Sequence, residues 1–313
     1  MILATNNVDY NTLYAVMAVV VVFGASTVVL AMRGRMKSMN IKGVWGILTF
    51  TYREAIRTKW LIIFGIIFFL LAVDIPDLYL SAAGNLPPEY LPQNLASLIS
   101  VAFPLIPLLA LPMGAVTIVD ERESGTLQYL LSNPVTKSEF FFGRSVGLLF
   151  ATTTVIVIGF GGASAVVYSL SLSAYAPIIL IMLYAALLNA VMLGIALIIS
   201  EFSKRKATAM GVGIMVWFLL AVVSSLDQLV IAVSLKLGAY AALLVVLMDP
   251  VESSRELTTF GAGLGSSQFT NAALVVQFVL KSNAFYGVLS AILVWIAATF
   301  IIGFLVFRHQ DAA

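Results

Sequence analysis

The chain contains no cysteine and a single histidine, His309, in 313 residues. Disulfides, thiolate metal sites and cysteine nucleophiles are therefore excluded, and so is a histidine metal cluster within one chain. Charge is also scarce. Asp, Glu, Lys and Arg make up 10% of the residues, against ~25% in an ordinary soluble domain. The net charge is only +2, which gives no basis for nucleic-acid binding. No G-x-x-x-x-G-K-[ST] phosphate loop occurs, so the chain lacks the usual means of holding ATP. The eleven methionines show no clustered ligand spacing and give no support to a copper path. A membrane-embedded enzyme is disfavoured, because no spaced His, Cys or paired-carboxylate set lies at membrane depth.

What is abundant is apolar sequence. Hydrophobic residues make up 61% of the chain and the mean hydropathy is +1.04. That excess is too large for a bigger soluble core and calls for lipid as solvent. The first run, Leu13–Met32, is followed rather than preceded by basic residues (Arg33, Arg35, Lys37). That order fits a retained anchor with its N-terminus outside, with a cleaved signal as the alternative. Further spans are expected at Trp60–Leu80, Leu95–Val119, Phe142–Ser169, Ala176–Ile199, Ala207–Leu226 and Phe285–Phe307, giving about seven crossings with the anchor. Leu229–Met248 is apolar as well, but Lys236 lies near its middle, where insertion costs ~2.5–3.5 kcal/mol at the bilayer centre. The simpler topology makes 227–283 one external region, with 229–248 on the membrane surface or extending the preceding helix.

Charge sets the orientation. The segments 33–59, 120–144, 200–206 and 308–313 hold all of the 17 Lys and Arg residues except Lys236, Arg255 and Lys281. The positive-inside rule makes that side, with the C-terminus, cytoplasmic. The external segments carry loop signals: Pro87, Pro88 and Pro92 in 81–94, and a Gly- and Ser-rich stretch at 261–267.

Two cytoplasmic segments stand out. In 41–59, Ile41, Val44, Trp45, Leu48, Tyr52 and Ala55 recur at helical spacing, with Lys42, Thr49, Arg53 and Arg57 opposite. This predicts an amphipathic helix in the membrane interface, with a plain basic linker as the alternative. In 120–141, a charged cluster (Asp120, Glu121, Arg122, Glu123) leaves the membrane and Gly125 breaks it. An apolar stretch follows, Asn133-Pro134 turns the chain, and Thr136 or Ser138 caps the helix that returns. A short helix across the cytoplasmic face would turn Leu127, Leu130 and Leu131 toward a partner, or would simply be a structured loop.

Among intramembrane polar residues, Asn189 and Asp227 are candidates for a polar pathway. For Asn189 and for Thr152, Thr153 and Thr154, the competing reading is hydrogen bonding between helices. Pro104, Pro107 and Pro112 interrupt Leu95–Val119 and mark a kinked lever or tolerated membrane prolines. Gly143 and Gly147 permit close helix approach, at a dimer seam among other places. Glu201–Lys206 is either a second partner contact or topogenic charge.

The segment DERESGTLQYLLSNPVTKSEFFFGR resembles the element that follows the second helix of ABC type-2 permeases, the membrane subunits of ABC transporters. Residues 41–59, with Arg53, Glu54, Arg57 and Lys59 ahead of Trp60, look like that family's elbow helix. Val216-Trp217-Phe218 through Asp227, and Met248-Asp249-Pro250-Val251 to Arg255, look like the NosY branch, the permeases of nitrous-oxide reductase maturation. Asp249 stands where that branch has Asn, Glu252 is offset from its acidic position, and Arg144 replaces the usual Lys.

The resemblance implies an all-α integral membrane fold: a six-helix core over 41–313 plus an extra N-terminal helix in 1–40. It implies a multi-pass permease of the cytoplasmic membrane that serves export or maturation. A second permease copy, homo- or heteromeric, and a separate ATPase chain holding ATP and Mg would complete it, with an extracytoplasmic partner as a further candidate. Glu121, Arg122, Glu123, Gly125 and Thr126 would contact the ATPase, with Leu127 and Leu130 as apolar anchors. The rival function is a membrane anchor or assembly subunit that transports nothing.

Overall fold

The computed structural model describes residues 41–83, 91–127, 135–167, 175–234, 238–265 and 269–309. The expected anchor Leu13–Met32, Leu130, Leu131 and Lys236 lie outside the described residues. Within them the chain is helical and forms no strand. Eleven α-helices follow in order: α1 (Ile41–Ile56), α2 (Lys59–Ala83), α3 (Leu91–Ala102), α4 (Leu105–Glu123), α5 (Lys137–Val167), α6 (Tyr175–Phe202), α7 (Lys206–Ser234), α8 (Ala239–Met248), α9 (Pro250–Gly261), α10 (Asn271–Leu280) and α11 (Ala284–His309).

Four stretches are long and apolar enough to cross a membrane: Pro92–Glu123, Lys137–Gly162, Pro177–Phe202 and Asn271–His309. A fifth is reached when the bent pair Ile41–Ile56 and Lys59–Val73, at 67° to each other, is taken as one span. Lys206–Ala221 and Ala239–Met248 are apolar but shorter. By length and composition the described residues thus supply four or five crossings rather than the six expected after residue 40.

The bundle wears its hydrophobicity on both sides. Phe68, Phe103, Leu109, Phe160, Leu188 and Val191 are buried between helices. Ile63, Ile66, Ile158, Leu183, Phe218 and Ile302 point outward. Water would reject that outer surface, whereas lipid accepts it.

Proline and tryptophan shape the interior. The expected span Leu95–Val119 is broken at Phe103–Pro104, the first of the three prolines expected to interrupt it, where α3 ends and α4 begins. The Trp217 Nε1–H of α7 donates to the Pro104 carbonyl at 2.9 Å, taking up an acceptor at the break. Trp295 of α11 does the same for the Leu247 carbonyl at the end of α8, at 3.1 Å.

α1 meets α2 through a turn at Arg57–Thr58, where Thr58 Oγ1 donates to the Ala55 carbonyl at 2.7 Å. The seat of α1 is α5. A Cβ on Gly147 would lie 2.7 Å from the Leu48 carbonyl oxygen, and one on Gly143 would lie 2.7 Å from Ile47 Cβ. The Gly143-xxx-Gly147 pair is therefore a groove for the chain's own elbow. The face that α1 turns inward carries Leu48, Thr51 and Ala55, whereas Ile41, Trp45 and Phe50 are exposed. The expected apolar face is thus split, with Leu48 and Ala55 toward the protein and Ile41 and Trp45 away from it.

The region 227–283, expected to be external, is largely helical in its described residues. α7 continues unbroken through Ser234, and α8 is a separate helix. α9 is polar yet almost wholly buried. Its N-cap is Asp249, whose Oδ1 accepts from the Val251 and Glu252 amides, with Pro250 at the first turn. At 261–265 the chain ends α9 and turns at Gly263, φ +67°.

Candidate functional site

Five helices, α1, α4, α5, α6 and α7, bring residues distant in sequence together at the end of the bundle where the basic residues collect. The scaffold is an aromatic cluster: Phe140 stacks on Phe307 at 5.8 Å, and Phe141 packs on Phe304 at 5.5 Å. Ile118 and Leu197 fill in around them. α5 starts beside this cluster with a reciprocal cap. The Thr136 amide donates to Glu139 Oε2 at 2.8 Å and the Glu139 amide donates to Thr136 Oγ1 at 3.2 Å. Of the two expected caps, Thr136 serves.

On that scaffold the last turn of α4 is tied down on every side. Arg144 of α5 bridges two acids, Glu54 of the elbow and Glu121 of α4, each at 2.6 Å. It also donates to Thr51 Oγ1 at 3.3 Å. Arg122 pairs with Glu201 of α6 at 2.8 Å, and the Glu201 side chain is fully buried. Asp120 pairs with Lys206 Nζ at 2.7 Å, and Glu123 Oε2 accepts from the Lys206 amide at the start of α7. Ser200 Oγ accepts from the Ile118 and Val119 amides, both at 3.0 Å. Each contact joins residues at least 23 positions apart.

Beyond this network the chain turns outward. α4 closes on Gly125, which adopts φ +74° and donates its amide to the Arg122 carbonyl at 3.2 Å. A glycine takes this left-handed position without the strain a Cβ brings. Glu123, Ser124, Gly125 and Thr126 are exposed. Leu127 then turns back and is buried, 3% exposed, in the aromatic cluster. The expectation that Leu127 is an anchor for a partner is corrected. Its apolar side chain finds the chain's own core within reach, so the exposed tip is polar.

Of the elbow residues, Arg53, Arg57 and Lys59 are exposed, and Glu54 is exposed yet paired to Arg144. Asn189 lies in the α5–α6 seam, where its Nδ2 donates to Thr152 Oγ1 at 2.8 Å and to Thr153 Oγ1 at 3.1 Å. The geometry is that of a bond between helices. The Asp227 side chain lies outside the described residues.

The opposite end holds a group that sequence reasoning left as a motif fragment. Glu252 and Glu256 are 1% and 0% exposed on α9. Arg255 pairs with Glu252 at 2.7 Å, and Thr270 Oγ1–H donates to Glu256. Burial pushes Glu252 up to about 8, against the pull of Arg255 and with help from Glu256 and Asp249. Burial raises Glu256 as well. The i, i+4 spacing of the two acids was visible; their burial was not, since a polar helix reads as exposed.

Comparison with known proteins agrees with this architecture. Residues 45–312 match the family model described as ABC-2 family transporter protein. The chain belongs to the ABC-2 transporter family. Among its relatives in that family is a protein from Stutzerimonas stutzeri named "Probable ABC transporter permease protein NosY", 30% identical over 275 residues. That match covers 85% of this chain and 98% of the relative. A protein of the same name from Pseudomonas aeruginosa is 33% identical over 197 residues, covering 61% of this chain and 71% of the relative. The ABC-2 match begins inside α1 and runs through α11, so it takes in the elbow, the paired junction and the buried α9.

Proposed function

We propose that this ABC-2 family member is the non-catalytic permease subunit of an ATP-driven transporter, serving export or maturation, and that a separate ABC ATPase chain supplies ATP and Mg. The observation that carries the reading is the build of residues 120–126. Their charged base is ion-paired to α5, α6 and α7, and reaches Glu54 of α1 through Arg144, while their tip is exposed and polar. A push on such a tip reaches four helices at once, because packed elements pass displacement on rather than absorb it.

In this reading Glu123, Gly125 and Thr126 face the ATPase. Glu121 and Arg122 act behind them, passing movement to the elbow through Arg144 and to α6 through Glu201. A second permease copy completes the transporter in the cytoplasmic membrane, with the basic end inside. The test is ATP hydrolysis by the reconstituted complex of this chain with its ATPase. Glu121→Ala combined with Gly125→Pro abolishes the stimulated rate while the chain still inserts into membranes. Unchanged stimulation removes the coupling role.

A further inference from the structure

A cavity of about 340 Å³ opens among α1, α4, α5 and α7. It is at the lower end of the ~300–1,000 Å³ typical of small-molecule sites. Three of its walls repeat one pattern. On α4, Val116 lines it and Asp120 follows one turn later; on α5, Leu148 pairs with Arg144; on α7, Met210 pairs with Lys206. Each helix sets its charged residue four positions closer to the basic end than its apolar one, a step of ~6 Å along the axis. The cavity therefore changes from apolar to charged at one level around its wall.

Among the lining side chains the charges balance, while Glu121 behind them holds the second nitrogen of Arg144. Glu54 and Asp120 face Arg144 and Lys206 across the same space, in pairs at 2.6 and 2.7 Å. The elbow that forms one wall exposes Trp45 together with Arg53 and Arg57, as a helix at a headgroup layer does.

We infer that this cavity binds a zwitterionic phospholipid, with the first part of an acyl chain against Met113, Val116 and Leu148, its phosphate toward Arg144 and Lys206, and its amine toward Glu54 and Asp120. Equal numbers of acids and bases select a head with both signs over a purely anionic one. The site rests on the membrane reading of the chain and is independent of ATPase coupling.

The test is native mass spectrometry of the full chain released from detergent, titrated with phosphatidylethanolamine, with phosphatidylglycerol, and with glycerophosphoethanolamine, the same head without chains. Phosphatidylethanolamine is retained at about tenfold lower concentration than phosphatidylglycerol, as one charge-assisted contact is worth. The chainless head is not retained. Val116→Trp fills the cavity from within, and Met210→Trp fills it from its half-exposed rim without touching the core. Both lose phosphatidylethanolamine retention by about tenfold or more, and added phosphatidylethanolamine raises the thermal midpoint of the native chain but not of Met210→Trp. Retention that Met210→Trp leaves unchanged marks lipid of the surrounding belt only and overturns the proposal. Equal retention of the two lipids overturns the charge assignment on which it stands.

Discussion

Arg144 shows how one side chain determines what its neighbours can do. It is 6% exposed and holds Glu54 and Glu121 with separate nitrogens. Removing one partner of a buried pair typically costs ~3–5 kcal/mol, chiefly because the other charge is stranded. Half-exposed Glu54 lowers that figure here, while Glu121 does not. Arg144→Met therefore lowers the thermal midpoint of the detergent-purified chain, and Arg144→Met with Glu121→Met recovers much of the loss. Two losses that simply add contradict the pairing. Glu252 gives a prediction in pH. Its folded value, about 8, lies above the ordinary carboxylate value of 4.5. The folded state thus keeps a proton that the unfolded chain releases. The stability tied to that proton is complete below the ordinary range, declines as pH rises, and is gone above about 8. Glu252→Gln flattens this decline in a thermal-melt series over pH; a decline of unchanged slope contradicts it.

At the scale of elements, the long helices α2, α5, α6, α7 and α11 were legible in the sequence because an apolar run of that length fits a bilayer and little else. Three features were not legible, each for a physical reason. The partners of Asp120, Glu121 and Arg122 come from far along the chain, and local periodicity carries no information about them. The burial of α9 contradicts its polarity; it is buried because capping, a hydrogen bond from Arg255 and threonine hydroxyls satisfy its polar groups inside the bundle. The groove for the elbow was visible as Gly143-xxx-Gly147, but such spacing does not name the helix that fills it. That assignment is testable. A side chain at Gly147 meets the backbone of α1, which cannot yield as a flexible side chain can. Gly147→Val displaces the elbow and exposes residues 41–56 to added protease in membranes. Protection equal to that of the native chain contradicts the seating of α1 on α5.

At the scale of the whole molecule, two populations of charge serve different ends. Arg53 on α1, Arg57 in the turn after it and Lys59 at the start of α2 are exposed, and in the proposed reading they meet headgroups and set topology. The paired Arg122, Arg144 and Lys206 hold five helices together at one end. The sequence showed where charge was concentrated but not this division. The account predicts that the molecule meets its ATPase at the paired end, through the tip at 123–126, and at no other place. The absence of cysteine makes the direct test clean, since any introduced thiol is the only one in the chain. Thr126→Cys places it on the exposed tip, and Tyr286→Cys places it on an exposed site at the other end of the bundle. With a thiol-to-amine cross-linker in membranes holding both chains, the account predicts a Thr126→Cys adduct to the ATPase whose yield changes with ATP, and none from Tyr286→Cys. Equal yields from the two positions, or no adduct from Thr126→Cys, would contradict it.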